Sequence, residues 1–538
     1  MRAARAAALY RRGLARLEDR WAGSALQGER FNDPHHVYAA DLDLFGEGSL
    51  FELMCAARTR VGQQTLAHWL LSPAACGEIR ARHDCIADLR DRLGLREEIA
   101  VLEEAVRPDG AQPPDGELPR AGAHAPPDAR SNARSDELLS WAESGNILKL
   151  PWIKALALLL PALLIASALL WAFAGIWMAF AVVLLIEAGV LYGLRARLDA
   201  VLAPAGKAFD ELRAFAGLLA CLERERFDSP AMRALVGALS SQGRSASRAF
   251  GRLATLAQLA ESRDNPFVQW FLALPLLFSL QIALAAERWR RAHGTIVRTW
   301  IEVAGRFEAL VSIAQYTFEH PEDPFPRLLE SGASFRAEGI GHPLIPATRC
   351  VRNDVDLSSR LRVLLVSGSN MSGKSTLLRA VGLNAVLAMA GAPVRARALE
   401  MSMLQVGASI RINDSLREGS SRFYAEILRL RQLNELAEHG LPLLFLLDEM
   451  LQGTNSKDRR IGAEAVLRSF IERGAIGLAS THDLALTELE GLGQGALRNV
   501  HLEDHIVEGR MQFDFKLRDG VVEKSNGLEL MRAIGLRV

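Results

Sequence analysis

At residues 368–376 the sequence reads Gly368-Ser369-Asn370-Met371-Ser372-Gly373-Lys374-Ser375-Thr376, which matches the pattern G-x-x-x-x-G-K-[ST]. An apolar run, 361–366, directly precedes it, and residues 377–389 have the composition of a helix. Glycines let backbone N–H groups turn inward around a phosphate, and a helix N-terminus favours the same anion. The segment therefore predicts a nucleotide-binding phosphate loop, in which Lys374 contacts the β- and γ-phosphates and Ser375 holds Mg²⁺.

Two further apolar runs each end in polar residues that suit a nucleotide-hydrolysing site. The run 441–447 is typical of a strand buried on both faces of a parallel sheet, and it ends in Asp448 and Glu449. We expect Asp448 to bind Mg²⁺ and Glu449 to polarise the attacking water. The run 475–479 leads through Ser480 and Thr481 to His482. His482 is either a capping or packing residue or a sensor of the γ-phosphate.

The segment 418–423 lies between these motifs and is predicted to open a helix that runs toward Gly440, a suitable C-terminal cap. Gly419 and Ser421 admit two interpretations. They are ordinary residues for a helix start within their own chain. They are equally suited to bind the γ-phosphate of a nucleotide held by a second subunit.

These residues carry a resemblance to the ATPase domain of the DNA mismatch repair protein MutS. The segments that carry it are 341–344, 353–354, 367–376, 419–423, 446–449, 453–458 and 480–482. The run S-G-x-N-M-x-G-K-S-T is more specific than a general phosphate loop. Segments 48–51, 58–62, 69–73 and 79–84 resemble the opening of the MutS helical core more loosely.

The resemblance implies an α/β P-loop NTPase domain of the ABC/MutS type, preceded by an all-α core, with ATP and Mg²⁺ as cofactors. We expect the helical core in two segments, 1–106 and 198–336, and the ATPase domain at 337–538. The resemblance also implies a homodimer in which Ser421 faces the partner's nucleotide. Catalytic roles then go to Glu449, Lys374 and His482, Mg²⁺ binding to Ser375 and Asp448, and nucleotide binding to Gly368–Thr376, Gly419 and Ser421.

The sequence also departs from the family pattern. About forty residues precede the resemblance to the core, so the mismatch-reading and connector domains are expected to be missing. Arg422 stands where MutS usually has threonine. Mismatch recognition is therefore unsupported, and DNA stays a candidate partner through the resemblance alone.

A membrane signal is the largest departure. No charged residue occurs from Ala155 to Ile186, and a run of this length extended to Leu194 is enough for two spans of about 20 residues. Lysines precede the run, at 149 and 154, and arginines follow it, at 195 and 197. By the positive-inside rule both ends are cytoplasmic, which predicts a transmembrane helical hairpin at 147–197 that turns near Gly175. The alternative is a hairpin buried in a soluble core.

Two features of the apolar regions are less decisive. Glu187 lies inside the second predicted span, where it would reach the interface or a neighbouring polar group, or else serve transport. The stretch Phe267–Ala286 contains Gln269, Pro275 and Gln281, which favours a buried core helix over another membrane segment.

Residues 107–146 are rich in Pro, Gly and Ala and predict a flexible linker.

Composition limits the ways in which the protein could bind nucleic acid or zinc. Lys plus Arg and Asp plus Glu both total 63, so any nucleic-acid binding must come from a local patch. One candidate is the row Arg244, Arg248 and Arg252, which could be a solvated face or could contact phosphates of nucleic acid or of lipid headgroups. The five cysteines show no C-x-x-C spacing, which argues against zinc and fits a reducing compartment.

Three function classes follow. The first is a membrane-anchored MutS-like ATPase whose dimer rearranges helical arms on DNA or on another partner, with both soluble parts in the cytoplasm. The second is an ABC-type transport ATPase, which is disfavoured because one hairpin offers little translocation path. The third is a membrane tether that uses ATP as a structural ligand, which is disfavoured because Glu449 is present.

Overall fold

The computed structural model describes residues 2–102, 137–145, 147–148, 151–240, 245–262, 275–369, 371–411, 422–492, 495–507 and 510–522. The helices are α1 (Arg2–Leu17), α2 (Leu50–Met54), α3 (Arg60–Leu71), α4 (Cys76–Leu89), α5 (Leu93–Val101), α6 (137–143), α7 (Pro151–Ala174), α8 (Trp177–Lys207), α9 (Phe209–Arg224), α10 (Pro230–Gly237), α11 (Ala246–Glu261), α12 (Phe278–His293), α13 (Val297–Glu319), α14 (Lys374–Ala390), α15 (Arg422–Glu438) and α16 (Ser456–Glu472). The strands are β1 (Arg327–Leu329), β2 (Phe335–Ile340), β3 (Asn353–Leu357), β4 (Val363–Ser367), β5 (Ala398–Ser402), β6 (Gln405–Ser409), β7 (Leu443–Leu447), β8 (Ile476–Thr481), β9 (Leu497–Val507) and β10 (Arg510–Asp519).

The chain divides into two compact units. Unit 1 comprises residues 1–9, 57–64 and 92–309, and unit 2 comprises residues 10–56, 65–91 and 310–538. This division differs from the predicted segments, because parts of the predicted first core segment belong to the same unit as the sheets.

Unit 2 is built on a six-stranded sheet of order β10-β9-β4-β8-β7-β6. Its strands are parallel except β10, which pairs antiparallel with β9. The predicted strands at 361–366, 441–447 and 475–479 are confirmed as β4, β7 and β8, and every residue of these strands is buried. Burial on both faces explains why these strands read as continuous apolar runs.

A second sheet of unit 2 has four strands in the order β1-β5-β2-β3. Strand β2 pairs antiparallel with both β3 and β5, and β1 pairs parallel with β5. Strand β3 lies at one edge of this sheet. The side chain of its first residue, Asn353, forms hydrogen bonds to the backbone of β10 in the six-stranded sheet.

Segments from early in the chain complete unit 2. The Asp41 carboxylate accepts hydrogen bonds from the backbone N–H groups of Ile410 and Arg411, both at 2.7 Å. The Arg82 guanidinium donates to the carbonyl oxygen of Ala390 at 2.8 Å. These long-range hydrogen bonds explain why residues 10–56 and 65–91 group with the sheets.

The described part of unit 1 is helical. Its core contains packed aromatic rings, with Phe250 lying 5.6 Å from Phe215, 6.3 Å from Trp289 and 6.1 Å from Trp300 between ring centroids. The indole N–H of Trp289 donates to the carbonyl of Ala249 at 2.7 Å, so α11 and α12 are joined by a buried hydrogen bond as well as by apolar packing.

Helix α6 is held against α12 by hydrogen bonds from Arg290, whose guanidinium also forms a buried ion pair with Glu287 of the same helix. The side chains of Arg290 and Glu287 are each 2% exposed. Arg290 donates to the carbonyl oxygens of Trp141 and Ser144, and Glu287 accepts from the N–H of Ile147. The predicted linker at 107–146 therefore ends in an ordered helix, and residues 107–136 lie outside the described residues.

Helices α7 and α8 form a hairpin that turns at Gly175, whose φ of 73° is the left-handed conformation that favours glycine. Near the turn, the rings of Trp171 and Phe180 pack with centroids 5.5 Å apart. Both helices are long and apolar enough to cross a membrane, over residues 152–174 and 177–207. The turn predicted near Gly175 is thus confirmed as a turn between two helices.

The other residues singled out in the apolar regions are placed as follows. Glu187 is fully buried on the same face of α8 as Val183 and Leu194, and its oxygens have no hydrogen-bond partner within the described ranges, so the expected polar neighbour is not found there. In the stretch 267–286, helix α12 begins at Phe278, and its apolar residues from Leu280 to Ala286 are mostly buried. Residues 263–274 lie outside the described residues. Arg248 and Arg252 are exposed on α11, while Arg244 is outside the described residues.

Candidate functional site

The candidate site lies at the carboxyl ends of β4, β7 and β8, the edge at which open parallel sheets bind ligands. Strand β4 ends at Ser367, and α14 begins at Lys374, so the predicted phosphate loop joins a central strand to a helix. The φ angles of Gly368 and Gly373 are 155° and 96°. Both lie in conformations that L side chains rarely adopt, which is why glycine is needed at each end of the loop.

Lys374 is buried at the base of this loop, with 4% of its side chain exposed. Its ammonium group donates to the carbonyl oxygens of Gly368 at 2.9 Å and Ser369 at 2.7 Å. It lies 3.9 Å from the carboxylate of Glu449. Burial lowers the pKa of Lys374, while Glu449 and Asp448 act in the opposite direction. The loop thus keeps a cation beside the two acidic residues that follow β7.

Asp448 contacts the first turn of α14 and residues of β8 and β6. One of its carboxylate oxygens accepts from the hydroxyl of Ser375, and the other accepts from the hydroxyl of Ser480. Its backbone N–H donates to the carbonyl of Ser409 at 2.9 Å. Mg²⁺ prefers oxygen ligands and is commonly held by one or two protein groups together with phosphate oxygens. The adjacent oxygens of Ser375 and Asp448 fit that requirement.

Glu449 follows in a left-handed conformation with φ of 51°, which is uncommon for a residue other than glycine and occurs often at functional sites. Its N–H donates to the Ser480 hydroxyl at 3.0 Å. Its carboxylate accepts from the side-chain amide of Gln452 and lies 3.6 Å from Nδ1 of His482. His482 therefore stands beside Glu449 at the edge of the sheet.

Two serine hydroxyls of the loop are buried without a hydrogen-bond partner in the described parts of the chain. They belong to Ser369 and Ser372. A buried hydroxyl left without a partner costs free energy, so native proteins seldom leave one unexplained. Their position around the start of α14 fits a bound phosphate group, whose oxygens would accept these hydrogen bonds.

A cavity of about 150 Å³ lies beside the same loop. Its lining is Ile340, His342, Ile345, Arg349, Cys350, Val351, Asn353, Gly373, Thr376, Leu377, Ala380, Leu502 and Phe515. Burial lowers the pKa of His342 to about 4, so its ring is neutral at pH 7. The lining is thus mostly uncharged and lies next to the phosphate loop, as a planar organic group attached to a phosphate would require.

Phe515 lines this cavity and lies close to the loop. A Cβ atom at Gly373 would come within 2.8 Å of the Phe515 ring, so glycine is needed there for space as well as for conformation. The φ angle of Phe515 is 55°, at an irregularity in the pairing of β10 with β9. The Asn353 amide donates to the Phe515 carbonyl at 3.0 Å and accepts from the Leu517 N–H at 2.9 Å. Asn353 thereby holds the strained segment that carries the ring.

The structure brings together Lys374, Ser375, Asp448, Glu449 and His482 as the sequence pattern expects. Thr376 is exposed in the first turn of α14, and Met371 is exposed at the loop tip with φ of 76°. Asn370, Gly419 and Ser421 lie outside the described residues. Sequence reasoning did not single out Phe515, Gln452 or the role of Ser480.

Comparison with known proteins agrees with this site. The family model for MutS domain V matches residues 364–537. The DNA mismatch repair protein MutS of Brevibacillus brevis is 35% identical over 212 residues, which are 38% of this chain and 24% of that protein. The Endonuclease MutS2 of Thermus thermophilus is 35% identical over 199 residues, or 36% of this chain and 25% of that protein.

A third similar protein is the DNA mismatch repair protein MutS of Listeria welshimeri, which is 34% identical over 211 residues. The chain spans about a quarter of the length of the curated relatives it matches. The match covers β4 through the end of the six-stranded sheet and includes the phosphate loop, Asp448, Glu449 and His482. Over residues 364–537, the chain is similar to MutS domain V and to proteins of the MutS family.

Proposed function

We propose that this chain binds ATP together with Mg²⁺ and hydrolyses it. The observation that carries the proposal is the convergence of Lys374, Ser375, Asp448 and Glu449 at one sheet edge, beside two buried serine hydroxyls that lack a partner. When bound there, Mg²⁺ would neutralise charge on the β- and γ-phosphate oxygens. Ser375 and Asp448 are the residues that would hold it.

Each of the remaining residues has a separate role in hydrolysis. The ammonium group of Lys374 stabilises negative charge on the phosphates. Glu449 accepts a proton as water attacks the γ-phosphorus and the bond to the β-phosphate oxygen breaks. Gln452 and His482 flank the Glu449 carboxylate and orient it. In this scheme His482 is a positioning residue that lies close enough to respond to the γ-phosphate.

In this proposal, the base of the nucleotide binds in the cavity lined by Phe515. An aromatic ring that stacks on a base contributes about 1–3 kcal/mol. Phe515→Ala is therefore expected to weaken ATP binding by roughly 10-fold. Binding of inorganic triphosphate, which has no base, should stay unchanged. Isothermal titration calorimetry with both ligands measures the two effects separately.

Phe513→Ala is the matched control, because the Phe513 ring packs 5.9 Å from Phe515 but does not line the cavity. Asn353→Ala should act in the same direction as Phe515→Ala, since Asn353 holds the segment that carries the ring. Equal losses for ATP and triphosphate in Phe515→Ala would mean that the ring supports the loop and does not contact a base.

We further propose that α7 and α8 anchor the protein in a membrane. Only 22% and 17% of their most apolar windows are buried within the structure. Large side chains point outward along both helices; examples are Leu158, Leu159, Phe173, Trp177 and Leu185. A hairpin serving as the core of a soluble domain would bury most of this surface, and exposed apolar area of this extent calls for lipid or a partner.

The anchor predicts a defined topology. Gly175→Cys should react with a membrane-impermeant thiol reagent in intact cells, because the turn would reach the far face of the membrane. The unmodified chain, with its five free cysteines, is the control and should not react. The protein should also stay in the membrane fraction during an alkaline carbonate wash. Release by the wash alone would contradict the spanning hairpin.

A dimer and a role on DNA are further parts of the proposal, and the resemblance to MutS supports them. The relatives' names describe DNA mismatch repair proteins and an endonuclease. We propose a membrane-anchored MutS-like ATPase, with both soluble parts in the cytoplasm, whose nucleotide-driven dimer rearranges helical arms on DNA or on a protein partner. Crosslinking in intact cells, with nucleic acid and protein adducts analysed separately, tests which partner the arms contact.

A further inference from the structure

Helix α1 carries an exposed apolar stripe between arginines. Its sixteen residues include arginine at positions 2, 5, 11, 12 and 16 and no acidic residue. Tyr10, Leu14 and Leu17 are 46%, 56% and 60% exposed. Their spacing of i, i+4 and i+7 puts them on one face of the helix.

Contacts on the other side fix the rotation of this helix about its axis. The Arg16 guanidinium donates to both carboxylate oxygens of Glu319, at 2.7 and 2.8 Å, and both side chains are mostly buried. The Arg5 guanidinium donates to the carbonyl of Val101 at 3.0 Å. Arg5 and Arg16 share a face, because they lie about three turns apart. The stripe is thus held outward.

We propose that α1 lies on the surface of an anionic lipid bilayer, with Tyr10, Leu14 and Leu17 inserted at the headgroup boundary. Arg2 and Arg11, both exposed, border the stripe and would contact lipid phosphates. This inference rests on the membrane anchor of the proposed function, which would keep α1 near a bilayer at high effective concentration.

The composition of the face favours lipid over the other occupants. Nucleic acid would be bound through its phosphates, a mode that gives three exposed apolar side chains no role. A second copy of the same face would bring arginine against arginine, because the helix has no acidic residue to pair with them. An anionic bilayer satisfies both parts of the surface, since it offers negative charge above an apolar layer.

The test uses the full chain reconstituted into vesicles. The photoreactive residue p-benzoylphenylalanine is placed at Leu14, on the stripe, or at Arg12, which is exposed on the opposite side of α1. In vesicles of phosphatidylcholine with phosphatidylglycerol, lipid adducts should form at position 14 and not at position 12. Omitting phosphatidylglycerol, or introducing Arg2→Gln or Arg11→Gln, should lower the adduct yield, by roughly 5-fold for each arginine.

The outcomes separate this inference from the anchor on which it rests. Lipid adducts at position 14 that depend on phosphatidylglycerol support the docking of α1. Adducts joining two chains, adducts to added DNA, or equal lipid yields at both positions would overturn it. Resistance to alkaline carbonate is measured on the same samples, so loss of the anchor is recognised by release of the whole protein. Wild-type ATP hydrolysis in detergent shows that each variant is folded.

Discussion

Glu449→Gln is expected to lower ATP hydrolysis by roughly 10²- to 10⁴-fold while ATP binding stays close to that of the wild type. Glutamine keeps the size and hydrogen-bonding shape of the side chain but cannot accept a proton from the attacking water. The carboxylate of Glu449 lies 3.9 Å from the ammonium group of Lys374, so the substitution also removes one negative charge beside the phosphate site. That change should favour the phosphates and preserve binding.

Single-turnover hydrolysis and equilibrium binding of ATP measure the two halves of this expectation. Glu464→Gln is the matched control, because Glu464 lies on the surface of α16 in an ion pair with Arg468. Hydrolysis at the wild-type rate in Glu449→Gln would remove Glu449 from its role as the base. Loss of binding in that variant would instead assign Glu449 to nucleotide binding.

Lys374→Ala is expected to weaken ATP binding itself, on the order of 100-fold, because a hydrogen bond to a charged group contributes about 1.5–3 kcal/mol and this cation is almost fully buried. Hydrolysis should fall with occupancy of the site. Lys457→Ala, which removes an exposed lysine in the first turn of α16, should leave the affinity unchanged. Equal affinities for Lys374→Ala and the wild type, measured by calorimetry, would contradict the phosphate-loop assignment.

The same substitution tests the proposed dimer. If each chain completes its neighbour's site, Lys374→Ala mixed with Ser421→Arg should regain one working site per heterodimer. That site combines one chain's intact Lys374 with the other chain's intact Ser421, whereas the double variant should stay inactive. Arginine is used because its bulk blocks closure across the interface. Heterodimers that regain no hydrolysis would leave Ser421 as a helix cap within its own chain.

The phosphate site could be predicted from sequence because its residues follow short, buried, parallel strands. The apolar runs before Gly368, Asp448 and His482 identify β4, β7 and β8, and the carboxyl ends of adjacent parallel strands meet at one edge. Three segments that are far apart in the chain are thus brought together by a single topological rule. The chemistry of each side chain then limits what the edge can bind.

The cavity wall could not be predicted in this way. Phe515 reaches the loop because β10 departs from regular pairing and because Asn353 holds that departure in place. Neither feature leaves a periodic signal in the sequence. The association of residues 10–56 and 65–91 with the sheets was missed for a similar reason, since it depends on single carboxylate and guanidinium contacts such as those of Asp41 and Arg82.

The hydrogen bonds of Asn353 to the segment around Phe515 can form only late in synthesis. The two residues are 162 positions apart in the chain. At about 5–20 residues per second, a ribosome needs roughly 10–30 s to make the intervening segment. After residues 368–376 have been made and until Phe515 is added, a nascent chain has the phosphate-loop residues but not the aromatic wall beside them. The proposed base site is therefore completed late in translation, after β7, which precedes the acidic residues, has already been made.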